Sequence, residues 1–337
     1  MSEVDTGTDH QHMLRAVELA ARVRATTSPN PWVGCILVTT DGAAAEGATR
    51  PPGGPHAEAV ALAEADRAGL DTRGATAYVT LEPCSHRART PPCADALVAA
   101  GVARVVVGVT DPDPRVAGEG IARLRSAGIE VTTGAAADVV GAQLAPYLKH
   151  RATGRPYVVL KLATSLDGRT AAPDGTSRWI TGEVARADAH RLRAESDAVL
   201  VGAGTVRADD PELTVRHVPG RDPLRVVLGT APANAKIHPA LELAGDLGSA
   251  LDELGGRGVL QLLVEGGASV AGAFHRAGLV DRYVLYLAPV LLGGDDARGL
   301  FTGPGAATMA DAWRGRIAAV TTLGDDLRVD LRPHKEP

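Results

Sequence analysis

Four residues in the first third of the chain have the types and spacing of a catalytic zinc site. His56 is followed two positions later by Glu58, and Cys84 and Cys93 each follow a proline. One imidazole and two thiolates make three zinc ligands and leave a fourth position for water, whose pKa zinc lowers to about 7. The resulting hydroxide could attack an electron-poor ring carbon that carries an amino group. We expect His56, Cys84 and Cys93 to bind the metal. Glu58 would carry the proton from this water to the departing ammonia.

The spacing resembles that of nucleobase deaminases, in which H-x-E precedes P-C-x-x-C and the Glu is the general acid and base. Here eight residues, instead of two, separate the cysteines, so a loop must bring the thiolates together. Pro91-Pro92 is typical of the start of a helix, and the Ala-rich run after His56 predicts another. Both halves of the site would then lie at helix N-termini, where the helix dipole favours a thiolate.

Other roles are open for these residues. Cys84 and Cys93 could form a disulfide, but three cysteines in 337 residues and no recognisable secretory leader favour a reducing cytoplasm. His56 and Glu58, without the two Pro-Cys pairs, would be read as ordinary surface residues. Cys35 lies in an apolar run, which favours a buried thiol over a fourth ligand.

The composition limits the class of protein. A length of 337 residues suits two domains. The 35 basic and 40 acidic residues give a formal net charge of −5, and aromatic residues make up 3% of the chain; both features argue against a nucleic-acid partner. No apolar run approaches the roughly 20 residues of a transmembrane helix. We therefore expect a cytoplasmic enzyme that acts on a small molecule and has no membrane partner.

Hydrophobic periodicity predicts strands and helices in alternation. In the first half, helices are predicted over 9–26, 57–68, 94–100 and 120–127, and strands over 33–38, 43–48, 75–81, 104–109 and 129–133. In the second half, strands are predicted over 157–163, 198–201, 224–228, 259–264 and 282–288, and helices over 183–194 and 269–277. The pattern is typical of α/β sheets covered on both faces, which bind ligands where strands end and helices begin.

Two glycine-containing turns follow apolar strands in the second half. Residues 199–205 (VLVGAGT) resemble the start of a dinucleotide fingerprint, but Arg207 stands where the third glycine belongs. Residues 263–269 (LVEGGAS) place two glycines at a helix start, where backbone N–H groups can bind a phosphate. Each could also be an ordinary strand-to-helix turn. Together they suggest a nucleotide cofactor.

Motifs along nearly the whole chain resemble those of the bifunctional riboflavin-biosynthesis proteins. In the first half these are residues 29–35 (PNPWVGC), 55–58 (PHAE) and 80–93 (TLEPCSHRARTPPC). In the second half they are residues 160–169 (LKLATSLDGR), 177–181 (SRWIT), 206–211 (VRADDP), 213–216 (LTVR) and 265–267 (EGG). The long spacer between the cysteines, unusual for a nucleic-acid deaminase, belongs to this family's pattern.

The resemblance implies two domains with two activities. A cytidine-deaminase-like α/β/α domain with a mixed sheet would span 1–148, a linker 149–155, and a dihydrofolate-reductase-like α/β domain 156–337. The first domain, with Zn²⁺, would remove the 2-amino group of 2,5-diamino-6-(5-phosphoribosylamino)pyrimidin-4(3H)-one. The second, a 5-amino-6-(5-phosphoribosylamino)uracil reductase, would use NADPH to reduce the ribosyl group to ribityl. The family also implies a homo-oligomer formed through the reductase domain.

The resemblance also implies ligand contacts, residue by residue. The implied cofactor contacts are Ala163, Trp179, Thr205, Asp209, Gly267, Ala268, Ser269, Val270, Ala271, Gly272 and Ala273. The expected substrate contacts are Ser177, Arg193, Leu213, Arg216 and Glu265 in the second half, and Asn30, His86 and Arg89 in the first. The guanidinium groups of Arg193 and Arg216 suit a sugar phosphate, although each could be a solvated surface residue.

Lys161 is our candidate for a catalytic residue of the reduction. It interrupts the apolar run 158–162, so it either reaches solvent or points into a site. Hydride transfer needs an electrophilic C1′, exposed as an imine or an opened sugar, and a group that supplies or stabilises a proton nearby. We expect Lys161 to be that group.

Two other functions stay open at this point. One is a nucleoside or nucleic-acid deaminase fused to an unrelated or inactive reductase-like domain, although the charge and the few aromatic residues disfavour the nucleic-acid version. The other is that one half has become a binding or assembly module. The apolar stretch 283–292 fits a subunit interface and a protein core equally well.

Overall fold

The protein is described by a computed structural model that covers residues 6–85, 92–114 and 116–334. The chain divides into two compact units, Met1–Gly154 and Arg155–Pro337. The division falls inside the predicted linker 149–155. None of the helices in the covered residues combines the length and the apolar composition that a bilayer-spanning helix needs.

The first unit contains a five-stranded mixed sheet. Its strands are β1 (Gly34–Val38), β2 (Ala44–Ala48), β3 (Thr76–Leu81), β4 (Arg104–Val109) and β5 (Glu130–Thr133). Its helices are α1 (Thr6–Thr27), α2 (Ala57–Arg67), α3 (Cys93–Ala99), α4 (Glu119–Ser126) and α5 (Ala137–Thr153). The strand order is β2-β1-β3-β4-β5, in which β1 is antiparallel to both of its neighbours and β3, β4 and β5 run parallel. The predicted mixed sheet is confirmed.

Two glycines allow helices to pack closely on both faces of this sheet. A Cβ at Gly34 would lie 1.9 Å from the carbonyl oxygen of Ala16 in α1, and a Cβ at Gly47 would lie 2.2 Å from the carbonyl oxygen of Ala57 in α2. Gly47 pairs with Cys35, the residue after Gly34. Because successive residues of a strand face opposite sides of a sheet, α1 and α2 lie on opposite faces. The predicted α/β/α layering is confirmed.

Helix α5 is absent from the sequence-based prediction. Pro146 lies inside it, and Ala136 at its N-cap has a left-handed φ of 49° and makes no side-chain capping bond. Both features hide a helix from pattern analysis. Residues 149–153 of the predicted linker form the last turn of this helix, which ends at Gly154 with φ 73°.

The second unit contains an eight-stranded mixed sheet and a two-stranded sheet. The large sheet is built from β6 (Tyr157–Ser165), β8 (Ala198–Gly202), β9 (Leu224–Leu228), β10 (Leu241–Leu243), β11 (Gln261–Val264), β12 (Arg282–Ala288), β14 (Gly315–Leu323) and β15 (Asp326–Pro333). Strands β7 (Arg169–Ala171) and β13 (Arg298–Gly299) form the small one. The helices are α6 (Glu183–Ala194), α7 (Ala203–Asp209), α8 (Leu247–Gly256) and α9 (Ala268–Arg276).

The strand order of the large sheet is β10-β9-β8-β11-β6-β12-β15-β14. The first six strands run parallel, and β15 and β14 are antiparallel to their neighbours. Apolar side chains of the parallel strands form the core with α8 and α9, as shown by fully buried Val158, Leu200, Leu262 and Phe274. Each of the seven predicted elements of this half is present. The patterns missed β7, α7, β10, α8 and β13 to β15, most of which are short or largely exposed.

Candidate active sites

Three predicted metal ligands meet at the C-terminal end of β3. Nδ1 of His56 lies 3.4 Å from Sγ of Cys93 and 3.6 Å from Sγ of Cys84, and the three donor atoms lie within 4.8 Å of one another. Tetrahedral zinc, with a Zn–N distance of about 2.1 Å and a Zn–S distance of about 2.3 Å, separates a nitrogen from a sulfur ligand by about 3.6 Å. The donor types and their spacing therefore fit zinc. Both cysteines are free thiols.

Helix starts hold these ligands in place, as the sequence predicted. His56 is the N-cap of α2 and Cys93 is the first residue of α3. The backbone N–H groups of Cys93 and Ala94 donate to Sγ of Cys84 at 3.3 Å and to its carbonyl oxygen at 3.2 Å. The hydrogen bond with Cys93 and the nearby His56 lower the pKa of the Cys84 thiol well below its usual value. A thiolate is thus available at neutral pH.

Glu58 lies in the first turn of α2 and is 3% exposed. Burial raises the pKa of its carboxyl group to about 7. A carboxyl group with a pKa near the working pH can both accept and donate a proton, which is what a general acid and base requires. Cys35, which we expected to be a buried thiol, is fully buried in β1. Its predicted role as a core residue is confirmed.

The predicted substrate contacts of the first unit are only partly described. Asn30 is half-buried and donates its backbone N–H to the carbonyl oxygen of Thr27. His86 and Arg89 lie outside the described residues. All three therefore stay predictions.

In the second unit, three predicted residues form a buried charged cluster. Nε and Nη2 of Arg193 donate to the two carboxylate oxygens of Glu265, at 2.5 and 3.0 Å, and Nζ of Lys161 lies 3.6 Å from Oε2 of Glu265. The side chains of Glu265, Arg193 and Lys161 are 8, 13 and 20% exposed. Burial raises the pKa of Glu265, but the two cations outweigh this and hold it at about 2. Lys161 thus points toward this cluster.

Further polar residues continue this cluster across one face of the sheet. Tyr286 of β12 pairs with Ala163 of β6 and with Arg328 of β15. The Tyr286 hydroxyl and Nη1 of Arg328 both donate to Oδ2 of Asp188 in α6, each at 2.6 Å. Nζ of Lys161 lies 5.9 Å from the centre of the Tyr286 ring. Sequence reasoning missed these three residues, although charged residues alternate with apolar ones along β15.

Most of the predicted cofactor contacts lie in or next to helices α7 and α9. The backbone N–H of Gly267, the N-cap of α9, donates to Oγ1 of Thr205 in α7 at 3.2 Å. Arg178 donates from Nη2 to the carbonyl oxygen of Asp209 at 2.9 Å, which links the last residue of α7 to the residue before Trp179. The Trp179 side chain is 70% exposed.

The run from Gly267 to Ala273 has two faces. Gly267 and Ser269 are exposed, and Val270 and Ala273 are half-buried. Ala268, Ala271 and Gly272 are buried, with Ala271 in the core.

The remaining predicted substrate contacts differ in exposure. Leu213 is 4% exposed and has a φ of 54°. Nη1 of Arg216 donates to Glu212 and Thr214, and its backbone N–H donates to Nδ1 of His190 at 3.0 Å. Burial lowers the pKa of His190 to about 4, so its ring is neutral. Ser177 is half-buried.

Comparison with known proteins supports the resemblance over nearly the whole chain. A family model described as the cytidine and deoxycytidylate deaminase zinc-binding region matches residues 6–109, and one described as the RibD C-terminal domain matches residues 156–329. The riboflavin biosynthesis protein RibD of Escherichia coli K12 is 42% identical, over 96% of this chain and 99% of the relative. That of Mycobacterium tuberculosis CDC 1551 is 42% identical, over 94% and 95%.

Solved structures agree with this relationship. Acinetobacter baumannii RibD is 41% identical and has a TM-score of 0.90, over 98% of this chain and 100% of the other. The Thermotoga maritima diaminohydroxyphosphoribosylaminopyrimidine deaminase/5-amino-6-(5-phosphoribosylamino)uracil reductase is 33% identical and has a TM-score of 0.88, over 98% and 100%. Matches over both halves in one order disfavour a deaminase fused to an unrelated domain. The chain belongs to the RibD family, the bifunctional deaminase/reductases of riboflavin biosynthesis.

Proposed function

We propose that the first unit removes the 2-amino group of 2,5-diamino-6-(5-phosphoribosylamino)pyrimidin-4(3H)-one and that the second unit reduces the ribosyl group of the product with NADPH. The observation that carries the proposal is the juxtaposition of His56, Cys84 and Cys93 with the buried carboxyl group of Glu58. Full-length similarity to proteins named for these two activities supports the substrate.

In the deaminase unit, His56, Cys84 and Cys93 would hold zinc, which lowers the pKa of a coordinated water to about 7. Glu58 accepts one proton of the attacking water and then donates it to the departing amino nitrogen, so that ammonia leaves as a neutral molecule. One water is consumed for each ammonia released. The pKa of Glu58, near 7, suits both transfers.

In the reductase unit, bound NADPH would supply the hydride. Opening of the ribose ring makes C1′ electrophilic and leaves the former ring oxygen in need of a proton. Lys161 supplies or stabilises that proton, and the neighbouring carboxylate of Glu265 orients the Nζ group of Lys161. Arg193 and Arg216 provide the positive charge for the sugar phosphate, with Ser177 and Leu213 lining the same ligand.

The position of the cofactor is supported by helix α9. Its N-terminus presents exposed Gly267 and Ser269 beside Thr205, and backbone N–H groups at such a terminus bind phosphates well. Exposed Trp179 and Asp209 provide further contacts, and Ala163 lies in the strand that carries Lys161. We propose NADPH in preference to NADH because the sequence motifs of the second half resemble those of this family's reductase domain. Oxidation rates measured with each cofactor at equal concentration test this preference, which equal rates would refute.

We also propose that the enzyme is cytoplasmic and that two copies of the chain associate through the second unit. Strand β14 lies at one end of the large sheet, and its Ile317 and Val320 side chains are 63 and 56% exposed. Exposed apolar edge strands favour pairing with another chain. The apolar stretch 283–292 contains both buried and exposed residues: Tyr283 is buried, as in a core, whereas Leu291 is 72% exposed. Light scattering of Val320→Lys should show a smaller mass than wild type; an unchanged mass would refute this interface.

The metal centre is tested by a matched pair of cysteine variants. Cys84→Ser should lose bound zinc and ammonia release, because it removes one of three ligands, while the reductase still acts on deaminated substrate. Cys35→Ala removes a buried thiol of the same unit and should keep both. Zinc content and ammonia are measured on the full chain. Retention of zinc and ammonia release in Cys84→Ser would refute the proposed site.

A further inference from the structure

Glu82, two residues before Cys84, is a buried carboxylate that no proposed catalytic step uses. It is 4% exposed. Its Oε2 accepts the backbone N–H groups of Asp111 at 3.3 Å and Gly118 at 3.0 Å, and its Oε1 accepts those of Gly120 at 3.0 Å and Ile121 at 3.2 Å. One carboxylate therefore binds four backbone donors that follow β4.

Three of these donors belong to the start of helix α4. The first N–H groups of a helix have no partner inside the helix, and Gly118, the N-cap of α4, has no side chain to bind them. Glu82 binds them from a different segment of the chain. Its negative charge also interacts favourably with the positive end of the helix dipole. The residues just before Cys84 are in this way tied to α4.

A second contact between the same segments is steric. A Cβ at Gly120 would lie 1.9 Å from the carbonyl oxygen of Pro83, the residue between Glu82 and Cys84. Only glycine therefore lets α4 approach Pro83 this closely. The hydrogen bonds of the Glu82 carboxylate hold the two segments together, and the missing side chain of Gly120 allows them to come into contact.

We propose that Glu82 is a positioning residue of the metal centre. It fixes the position of Cys84 by anchoring residues 82–84 to the N-terminus of α4, where Gly120 packs against Pro83. The proposal rests on the proposed role of His56, Cys84 and Cys93 as zinc ligands. Cys84 lies three residues beyond the end of β3, so its position depends on its own hydrogen bonds with the start of α3 and on the anchoring of its segment by Glu82. Groups that orient metal ligands typically change metal affinity 10- to 100-fold when they are replaced.

The test is the zinc affinity of the full-length chain, measured by competition with a chromogenic chelator. Glu82→Gln keeps the shape of the side chain, but its NH₂ group cannot accept the N–H groups that one carboxylate oxygen accepts. Gly120→Ala keeps the carboxylate and displaces Pro83 instead. We expect each variant to bind zinc at least about 10-fold more weakly than wild type. We also expect the absorption spectrum of the Co²⁺-substituted protein to change, because the thiolate of Cys84 moves.

Two controls separate positioning from loss of stability. Asp9→Asn disrupts another buried carboxylate of the same unit, bound to Tyr78 and Arg104 at the opposite end of β4. It should lower the thermal unfolding temperature measured in chelator without weakening zinc binding. Gly141→Ala changes a glycine inside helix α5 whose Cβ would meet no atom within 4 Å. It should leave zinc affinity unchanged.

The outcomes are distinct. Wild-type zinc affinity and an unchanged cobalt spectrum in either Glu82→Gln or Gly120→Ala would overturn the proposal. An equal loss of affinity in Asp9→Asn would also overturn it, since the effect would then follow stability alone. If Glu82→Gln does not fold, Gly120→Ala and the cobalt spectrum decide. A wild-type chain that binds no zinc would instead refute the proposed function.

Discussion

The two units place their reactive groups in different ways. In the first, helix starts hold the three predicted zinc ligands. His56 is the N-cap of α2, Cys93 is the first residue of α3, and Sγ of Cys84 accepts the backbone N–H of Cys93. In the second, Lys161 and Glu265 belong to a row of charged and polar side chains that crosses several strands on one face of a sheet. The first site depends on contacts at the ends of a few helices and strands, and the second depends on strand register.

This difference should appear in how variants behave. A change at the end of an element can remove one chemical role and leave the fold intact. Replacing one charged residue of a buried row leaves its former partner buried without an opposite charge. The free energy of unfolding then falls together with the activity. Four variants test the comparison, beginning with the one for which we expect the largest effect.

Glu58→Gln should lower the rate of deamination by about 10³- to 10⁴-fold, because a general acid and base is lost. Zinc should stay bound, and reduction of deaminated substrate should be unchanged. Ammonia release, zinc content and NADPH oxidation measure the three effects. Glu64→Gln, a change at a half-buried residue of the same helix that pairs with Arg67, is the control and should behave as wild type. Loss of zinc from Glu58→Gln would show that Glu58 is a ligand.

Lys161→Met should lower the single-turnover rate of reduction by about 10²- to 10³-fold, because the group that handles the proton is removed. Deamination should not change. NADPH binding, measured by fluorescence titration, should stay normal. Lys236→Met removes an exposed lysine of the same unit and serves as the control. Unchanged hydride transfer with normal NADPH binding would refute the role of Lys161.

Glu265 should make the stability of the second unit depend on pH. Its pKa of about 2 lies below the ordinary value of 4.5, so it stabilises the folded state at neutral pH, and this contribution is lost as the pH falls from about 5 toward 2. The advantage of wild type over Glu265→Gln in urea unfolding should therefore shrink by about 3 kcal/mol between about pH 6 and pH 2. Glu253→Gln, at an exposed residue of α8, should show no such change. A pH-independent difference would contradict the account.

Tyr286→Phe should have the smallest effect. It removes the hydroxyl that donates to Asp188, and loss of a hydrogen bond to a charged group costs about 2 kcal/mol of unfolding free energy. Tyr283→Phe, whose hydroxyl bonds to the imidazole of His275, should cost about 1 kcal/mol. Urea unfolding measures both. A larger cost for Tyr283→Phe would show that the polar row does not stabilise the unit more than an ordinary hydrogen bond does.

The same difference explains what the sequence could predict. Residues close together in the chain, such as His56 and Glu58 or the two Pro-Cys pairs, reveal their chemistry through type and spacing. Glu82 did not stand out, because its four partners lie 29 to 39 residues later in the chain. Asp188, Tyr286 and Arg328 meet only once the register of β12 with β15 is known.

Secondary structure shows a similar limit. Elements with a clear apolar period were predicted to within a few residues, for example α6 at Glu183–Ala194. Helix α5 was missed because of Pro146, and β14 was missed because nearly all of its side chains are exposed. In the second unit, only the family resemblance pointed to Arg193 and Glu265 as ligand contacts. Their mutual ion pair needed the structure.

The central claim is that one chain holds two independent sites that act in sequence. The most direct test is to incubate the zinc-loaded chain with the diaminopyrimidine phosphate, with and without NADPH, and to count both products. We predict ammonia release without NADPH and, when NADPH is present, one NADPH oxidised for each ammonia released. Ammonia release with no NADPH oxidation would contradict the claim, because the second unit would then be silent toward the product of the first.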